Sequence, residues 1–138
     1  MKRFTIEIST NGNNDIVNLS PELAKRVRET AGGADGVVHL FSVGSTCALT
    51  TIEYEQGLTK TDLPAVLQKI APDDAYYAHE ATWNDDNGHS HVRSALVGPS
   101  LTIPFSGGKL LTGEYQQVVL IDFDTQPRRR TVIATVVI

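Results

Sequence analysis

The chain has 138 residues, with 12 basic and 16 acidic side chains for a net charge of −4, 41% apolar residues and a single cysteine. That length fits one compact domain over residues 1–138 whose core needs neither disulfide nor structural metal. The composition excludes a membrane span of roughly 20 apolar residues and a field that collects nucleic acid. The lone thiol, Cys47, reads as a small buried hydrophobe in a cytoplasmic protein.

The start, MKRFTIEISTNGNND, acquires Glu7 and Asp15 before an apolar run of about 7 residues can form, so no signal peptide is expected. Phe4, Ile6 and Ile8 alternate with Thr5, Glu7 and Ser9, the period of a half-buried strand, and the turn residues at 11–15 end it. Ser20-Pro21 predicts a helix start with Ser20 as N-cap. Leu23, Val27 and Ala31 share one face, and Gly32-Gly33 stops the helix after about three turns.

GVVHLFSV (36–43) and STCALTTIEYE (45–55) read as strands parted by Gly44, with His39 beside Val37, Phe41 and Val43 on one face. Thr61-Asp62 opens a second helix, where Leu63, Val66, Leu67 and Ile70 have helical spacing and Pro72 ends it. VRSALVG, SLTIPFS, EYQQVVLIDFD and RRRTVIATVVI are further strands, the last two a hairpin through Thr125-Gln126-Pro127, and Gly107-Gly108 is a hairpin turn. The expected fold is α+β: a large mixed or mostly antiparallel sheet with two helices packed on it.

The stretch AHEATWNDDNGHSHVR (78–93) holds three of the four histidines. Read as a strand, it sends His89 and His91 out of the same face, with Arg93 continuing the row and His79 brought round by the Asn87-Gly88 turn. Three imidazoles can hold an ion with one position open to substrate, yet H-x9-H-x-H matches no standard zinc signature, and a loop of hydrogen-bonded histidines is the competing reading. Asp85 and Asp86 can orient a ring N–H or simply shape the turn. Gly44-Ser45-Thr46 is a candidate anion cradle, while Glu53 and Glu55 suit acid–base work or a solvated strand edge. Arg128, Arg129 and Arg130 read mainly as solvated charge.

Taken together, GSTCALTTIEYE, TDLP, YYAH, NDDNGHSHVRSALVGPS, GEYQQ and FDTQPRRRTV resemble the YjbQ/UPF0047 family. The resemblance implies a small α+β homotrimer and, for some members, a secondary thiamine phosphate synthase activity. Such an enzyme joins hydroxymethylpyrimidine diphosphate to a thiazole phosphate with loss of pyrophosphate. Residue by residue, the resemblance implies His79, His91 and Glu53 as catalytic groups. Ser45, Thr46, Asn87 and Arg93 then become contacts for a small phosphorylated substrate, and His79, His89 and His91 ligands to a divalent ion such as zinc or magnesium. Trp83 or Tyr115 would stack on a ring. The chain departs from the family pattern at Gly44-Ser45-Thr46, where His-Thr-Thr is common, and at Gly113-Glu114-Tyr115-Gln116, where G-x-W-Q is common. The same residues would also serve a metal-dependent phosphate-ester hydrolase, or a non-enzymatic trimeric module that binds a small ligand or metal.

Overall fold

Alternate side chains of β1 (Lys2–Thr10) are buried, as the period of two requires. In the computed structural model, which describes all 138 residues, β1 pairs antiparallel with β8 (Arg128–Val137) in register from Lys2↔Val136 to Thr10↔Arg128. Beyond β8 lie β3 (Gly36–Val43), β5 (Ser100–Ser106) and the short β6 (Lys109–Leu110), giving the order β1-β8-β3-β5-β6. A second sheet has β7 (Gln116–Asp122) between β2 (Asp15–Asn18) and β4 (Cys47–Glu53). All pairings are antiparallel.

The central strand β7 is buried on both faces. Its Val118 and Leu120 join the main core with Phe4, Val38, Leu49 and Phe105, while Val119 and Ile121 join Phe123 and Leu67 in a second cluster. Helix α1 (Ser20–Ala31) seals the main core with Leu23, Val27 and Ala31 and ends at Gly32 in the left-handed region. Leu19, not Ser20, occupies its N-cap position. The Ser20 hydroxyl instead accepts a hydrogen bond from the Val118 N–H at 2.8 Å, tying the helix start to β7.

The α+β fold, the antiparallel pairing, the Gly107-Gly108 turn between β5 and β6 and the burial of Cys47 match the sequence reading. Three local readings do not. The predicted hairpin of the last two long strands is absent: β7 and β8 belong to different sheets, and the chain crosses between them over residues 123–127. The second helix starts earlier, as a π-helical turn at Gly57–Asp62 running into α2 (Leu63–Ile70), which leaves Val66 and Ile70 exposed.

The largest difference lies at 78–97, which forms two helices, α3 (Ala78–Trp83) and α4 (Gly88–Val97). The buried face of α4 is polar, made of His89, Ser90, Arg93 and Ser94. Hydrophobic periodicity cannot register a helix that turns its polar side inward.

Candidate functional site

Helix α3 closes at Asn84 in the left-handed region, and after Asp85 and Asp86, Asn87 stands at the N-cap position of α4. Gly88 begins α4 directly against Tyr77, where any Cβ would collide with the Tyr77 Cβ and ring. Tyr77 is itself fixed by its hydroxyl, which donates to the Pro72 carbonyl at 2.6 Å. This contact sets the rotational phase of α4.

On a helix, residues two apart point about 200° away from each other. His91 therefore faces His79, with ring centroids 4.2 Å apart and planes inclined at 54°. His89 turns the other way, toward Tyr77 at 6.3 Å, and is only 5% exposed with its Nδ1 unpartnered. The three-histidine arrangement expected of a strand is thus not formed. No group of three or more His, Cys, Asp or Glu side chains converges on one point.

Asp85 and Asn87 complete the surroundings of the pair. His79 Nε2 lies 3.3 Å from Asp85 Oδ2. One end of the Asn87 amide is 3.2 Å from His79 Nε2 and 3.1 Å from the Asp85 carboxylate, and the other is 3.3 Å from Asp124 Oδ1. With Nδ2 donating to Asp124, Oδ1 faces His79 and Asp85; turned over, Oδ1 faces the Asp124 carboxylate. In either orientation one end of the amide meets a carboxylate that offers no proton, so the cluster is rich in acceptors. Burial and the adjoining His79 push the His91 imidazole below the ordinary histidine value, against opposition from Asp85, Asp124 and a backbone hydrogen bond to Ser45. The neutral form of His91 is thereby favoured.

Asp124 links this cluster to a buried ionic network. It accepts from Arg128 Nε at 2.9 Å and from the Thr46 hydroxyl at 3.1 Å. Arg130 grips Asp122 through Nε at 2.7 Å and Nη2 at 2.8 Å, and Thr10 donates to the same carboxylate. Burial raises the pKa of both aspartates, but hydrogen bonds outweigh it and hold them below the usual carboxylate value: Arg130, Thr10 and the Asp124 N–H for Asp122; the Thr125 N–H, Arg128, Asn87 and Thr46 for Asp124.

Of the residues expected at a site, the fold brings together His79, His91, Asn87 and Ser45. Ser45 and His91 line a cleft of about 330 Å³ together with Gly44, Ser94 and Pro99. Thr46 is withdrawn: its hydroxyl donates to Asp124 and accepts from Arg130 at 2.7 Å, leaving nothing for a phosphate. Arg93, 3% exposed, is withdrawn as well. Its guanidinium donates to the Ala71 carbonyl at 2.8 and 3.0 Å, to Asn14 Oδ1 and to Gln68 Oε1, because helical phase aims it at the end of α2 rather than along the histidine row. Glu53 is exposed at the far end of β4 opposite Gln116, six residues and about 20 Å of extended strand from Cys47, so one chain does not bring it to the histidines. Tyr115 adjoins that same distant end.

Asp124 is the participant that sequence reasoning missed. Its signal was the Asp-x-Asp at 122–124 just ahead of three arginines. At Gly44, with φ of +148°, a Cβ would stand 2.9 Å from Arg130 Nη1, so the histidine common at this position would displace that arginine.

A family model described as UPF0047 protein YjbQ-like matches residues 4–138. The chain belongs to this family. A UPF0047 protein of Methanothermobacter thermautotrophicus is 35% identical over 104 residues, covering 75% of this chain and 71% of the relative. UPF0047 protein YjbQ of Salmonella typhimurium is 31% identical over 100 residues, 72% of each chain. Among solved structures, an uncharacterized conserved protein of the YjbQ/UPF0047 family from Clostridium acetobutylicum superposes with a TM-score of 0.86 at 27% identity, covering 97% of this chain and 99% of that one. A hypothetical protein from Aeropyrum pernix K1 gives 0.88 at 23% identity, over 99% and 98%. The UPF0047 fold thus extends over nearly the whole chain. No helix in it is long and apolar enough to cross a membrane.

Proposed function

We propose that the His79–His91 pair is the centre of a cytoplasmic enzyme acting on a small phosphorylated molecule with the help of a divalent cation. The observation that carries this reading is the meeting of two imidazoles beside Asp85, with His91 lining the Ser45 cleft.

The donor chemistry suits a cation. His79 Nε2, the Asp85 carboxylate and the Asn87 amide stand 3.1 to 3.3 Å from one another. Neighbouring ligands about 2.1 Å from one zinc or magnesium ion have that separation. An acceptor-rich cluster also calls for a proton or a cation. His79, Asp85 and Asn87 would hold the ion, with His91 alongside, and the ion when bound supplies positive charge to phosphate oxygens. The buried arginines do not fill that need, since Arg93 and Arg130 are committed to protein acceptors, and Arg128 already spends its Nε on Asp124.

This chain's own residues account for the remaining roles. Asp85 and Asn87 orient His79, and Asp124 anchors Asn87 in turn. Neutral His91 accepts a proton at the cleft, and Ser45 borders the bound group. For the family-implied thiamine phosphate synthase activity, the cleft would receive the pyrimidine diphosphate with Ser45 and His91 against it, and an ion held by His79, Asp85 and Asn87 would supply charge for the leaving pyrophosphate. Hydrolysis of a phosphate ester is the second reading, favoured by a cleft whose volume is at the small end for a ligand pocket and suits one ring system rather than two. The homotrimer belongs to the same family reading. Phe41 and Val43, exposed on the outer face of the large sheet, support it as apolar contact area.

The test is metal analysis and turnover on untagged protein, wild type beside His79→Ala and His91→Ala. The expected result is a stoichiometric transition metal or magnesium-dependent turnover, lost in folded variants. Metal uptake without turnover of the two thiamine precursors or of simple phosphate esters would leave a binding module. Neither uptake nor turnover would overturn the reading.

A further inference from the structure

We infer that a groove beside α1, remote from the histidines and independent of the reaction proposed there, binds a small organic phosphate. Ser20, Ala24 and Arg28 follow one another at four-residue spacing and so form one face of α1 about 12 Å long. Lys109 of β6, Thr112 and Gln117 of β7 form the opposite wall, enclosing about 240 Å³. The small side chain of Ala24 keeps the floor open. A Cβ at Gly108 would stand 3.4 Å from Arg28 Cα, so the β5–β6 turn lies directly on the end of α1 and sets Lys109 on the same rim as Arg28.

The polar groups of this groove are of one kind. Neither Arg28 nor Lys109 has an ion-pair partner, and no carboxylate lines the groove. Of the acids in the neighbouring sequence, Glu22 pairs with Arg26 at 3.5 Å and Asp35 accepts from the Ser106 hydroxyl and the Gly107 N–H, while Glu29 and Glu114 do not line the groove. At the neutral end, Ser20 Oγ already accepts from Val118, which leaves its O–H to donate. Thr112 adds a second hydroxyl; the Gln117 side-chain amide lies with Val119 and Ile121 on the other face of β7, where it accepts from Asn18. A lining with two unpaired cations, spare donors and no carboxylate selects an anion. Cations at one end and uncharged donors at the other select a phosphate monoester with a polar body over a bare ion. Gln116 in this groove and Asp122 in the ionic network are six residues apart on β7, about 20 Å, so the two sites are separate.

The test is a titration of the ¹⁵N-labelled full chain with inorganic phosphate and with glycerol 3-phosphate, followed by amide shifts. Saturable shifts are expected at Gly108, Lys109 and Gln117 with Ser45 and His91 unmoved, and with tighter binding of the ester. Arg28→Gln combined with Lys109→Gln should weaken binding by at least about tenfold. Ala24→Leu should block the ester while the rest of the spectrum is retained, which separates loss of the groove from loss of the fold. Absence of saturation at millimolar ligand, shifts that survive the double substitution, or shifts centred on His91 would overturn the inference.

Discussion

His79 and His91 stand with ring centroids 4.2 Å apart, although they lie on different helices and twelve residues separate them. Their meeting depends on the angle at which α4 begins, and that angle is set where Gly88 touches Tyr77. Gly88→Ala should therefore destabilise the protein by about 1–3 kcal/mol, the usual cost of forcing a methyl into a filled space. It should also weaken metal uptake beyond what the stability loss explains. Thermal denaturation and metal titration of the same variant check both effects, and Gly88→Ala in a Tyr77→Gly background, which removes the Cβ as well as the ring, should recover part of each.

Asp122 is fully buried and paired in bidentate fashion with Arg130. Asp122→Ala leaves a buried guanidinium without its main partner, so a loss of about 3–5 kcal/mol is expected in urea unfolding. The Arg130→Met/Asp122→Leu pair should cost less than Asp122→Ala alone, because it removes both charges.

Acid should act in two stages. Burial depresses both His89 and His91, and a depressed histidine contributes stability that is full above its unfolded value near 6.5 and is lost as pH falls toward the folded value. Asp122 and Asp124 are also depressed, so their contribution is full above the ordinary aspartate value of about 3.9 and is lost below it. Urea midpoints from pH 8 to pH 3 should thus step down first below about 6.5 and again below about 4. In His89→Gln the first step should shrink and the second should remain.

Arg93 supports the end of α2 by donating to the Ala71 carbonyl, Asn14 and Gln68. Arg93→Lys cannot reproduce that fork and should lower stability by about 1–3 kcal/mol. In protein that is still folded, KM for a phosphorylated substrate should be unchanged. A raised KM at unchanged stability would return Arg93 to the substrate.

The sequence reading was strongest where apolar residues carry the pattern. Phe4, Ile6 and Ile8 marked β1, and Leu23, Val27 and Ala31 marked α1, because in both the buried face is apolar. It erred at α4, where His89, Ser90, Arg93 and Ser94 face inward and the histidines suggested an alternating strand. That one error carried three expectations with it: His89 beside His91, Arg93 in the same row, and three imidazoles converging on one point. Motif order singled out His79, Asn87 and His91, which the fold brings into contact. Asp124 stayed hidden because its role is set by the crossing of β7 and β8 between sheets, a relation of topology that no local spacing encodes. Glu53 shows the converse, since a place in a motif says nothing about which end of a strand lies near the histidines.

The Gly88–Tyr77 contact works as an index mark. Because α4 is clocked from that point, lengthening the Asn84–Asn87 turn changes the reach of Asp85 and Asn87 but leaves His91 aimed where it is. Adding one residue between Gly88 and His91 rotates every later side chain by about 100° and sends His91 off its partner. Loop length ahead of the glycine thus bears on Asp85 and Asn87, while the three-residue count behind it fixes the aim of His91.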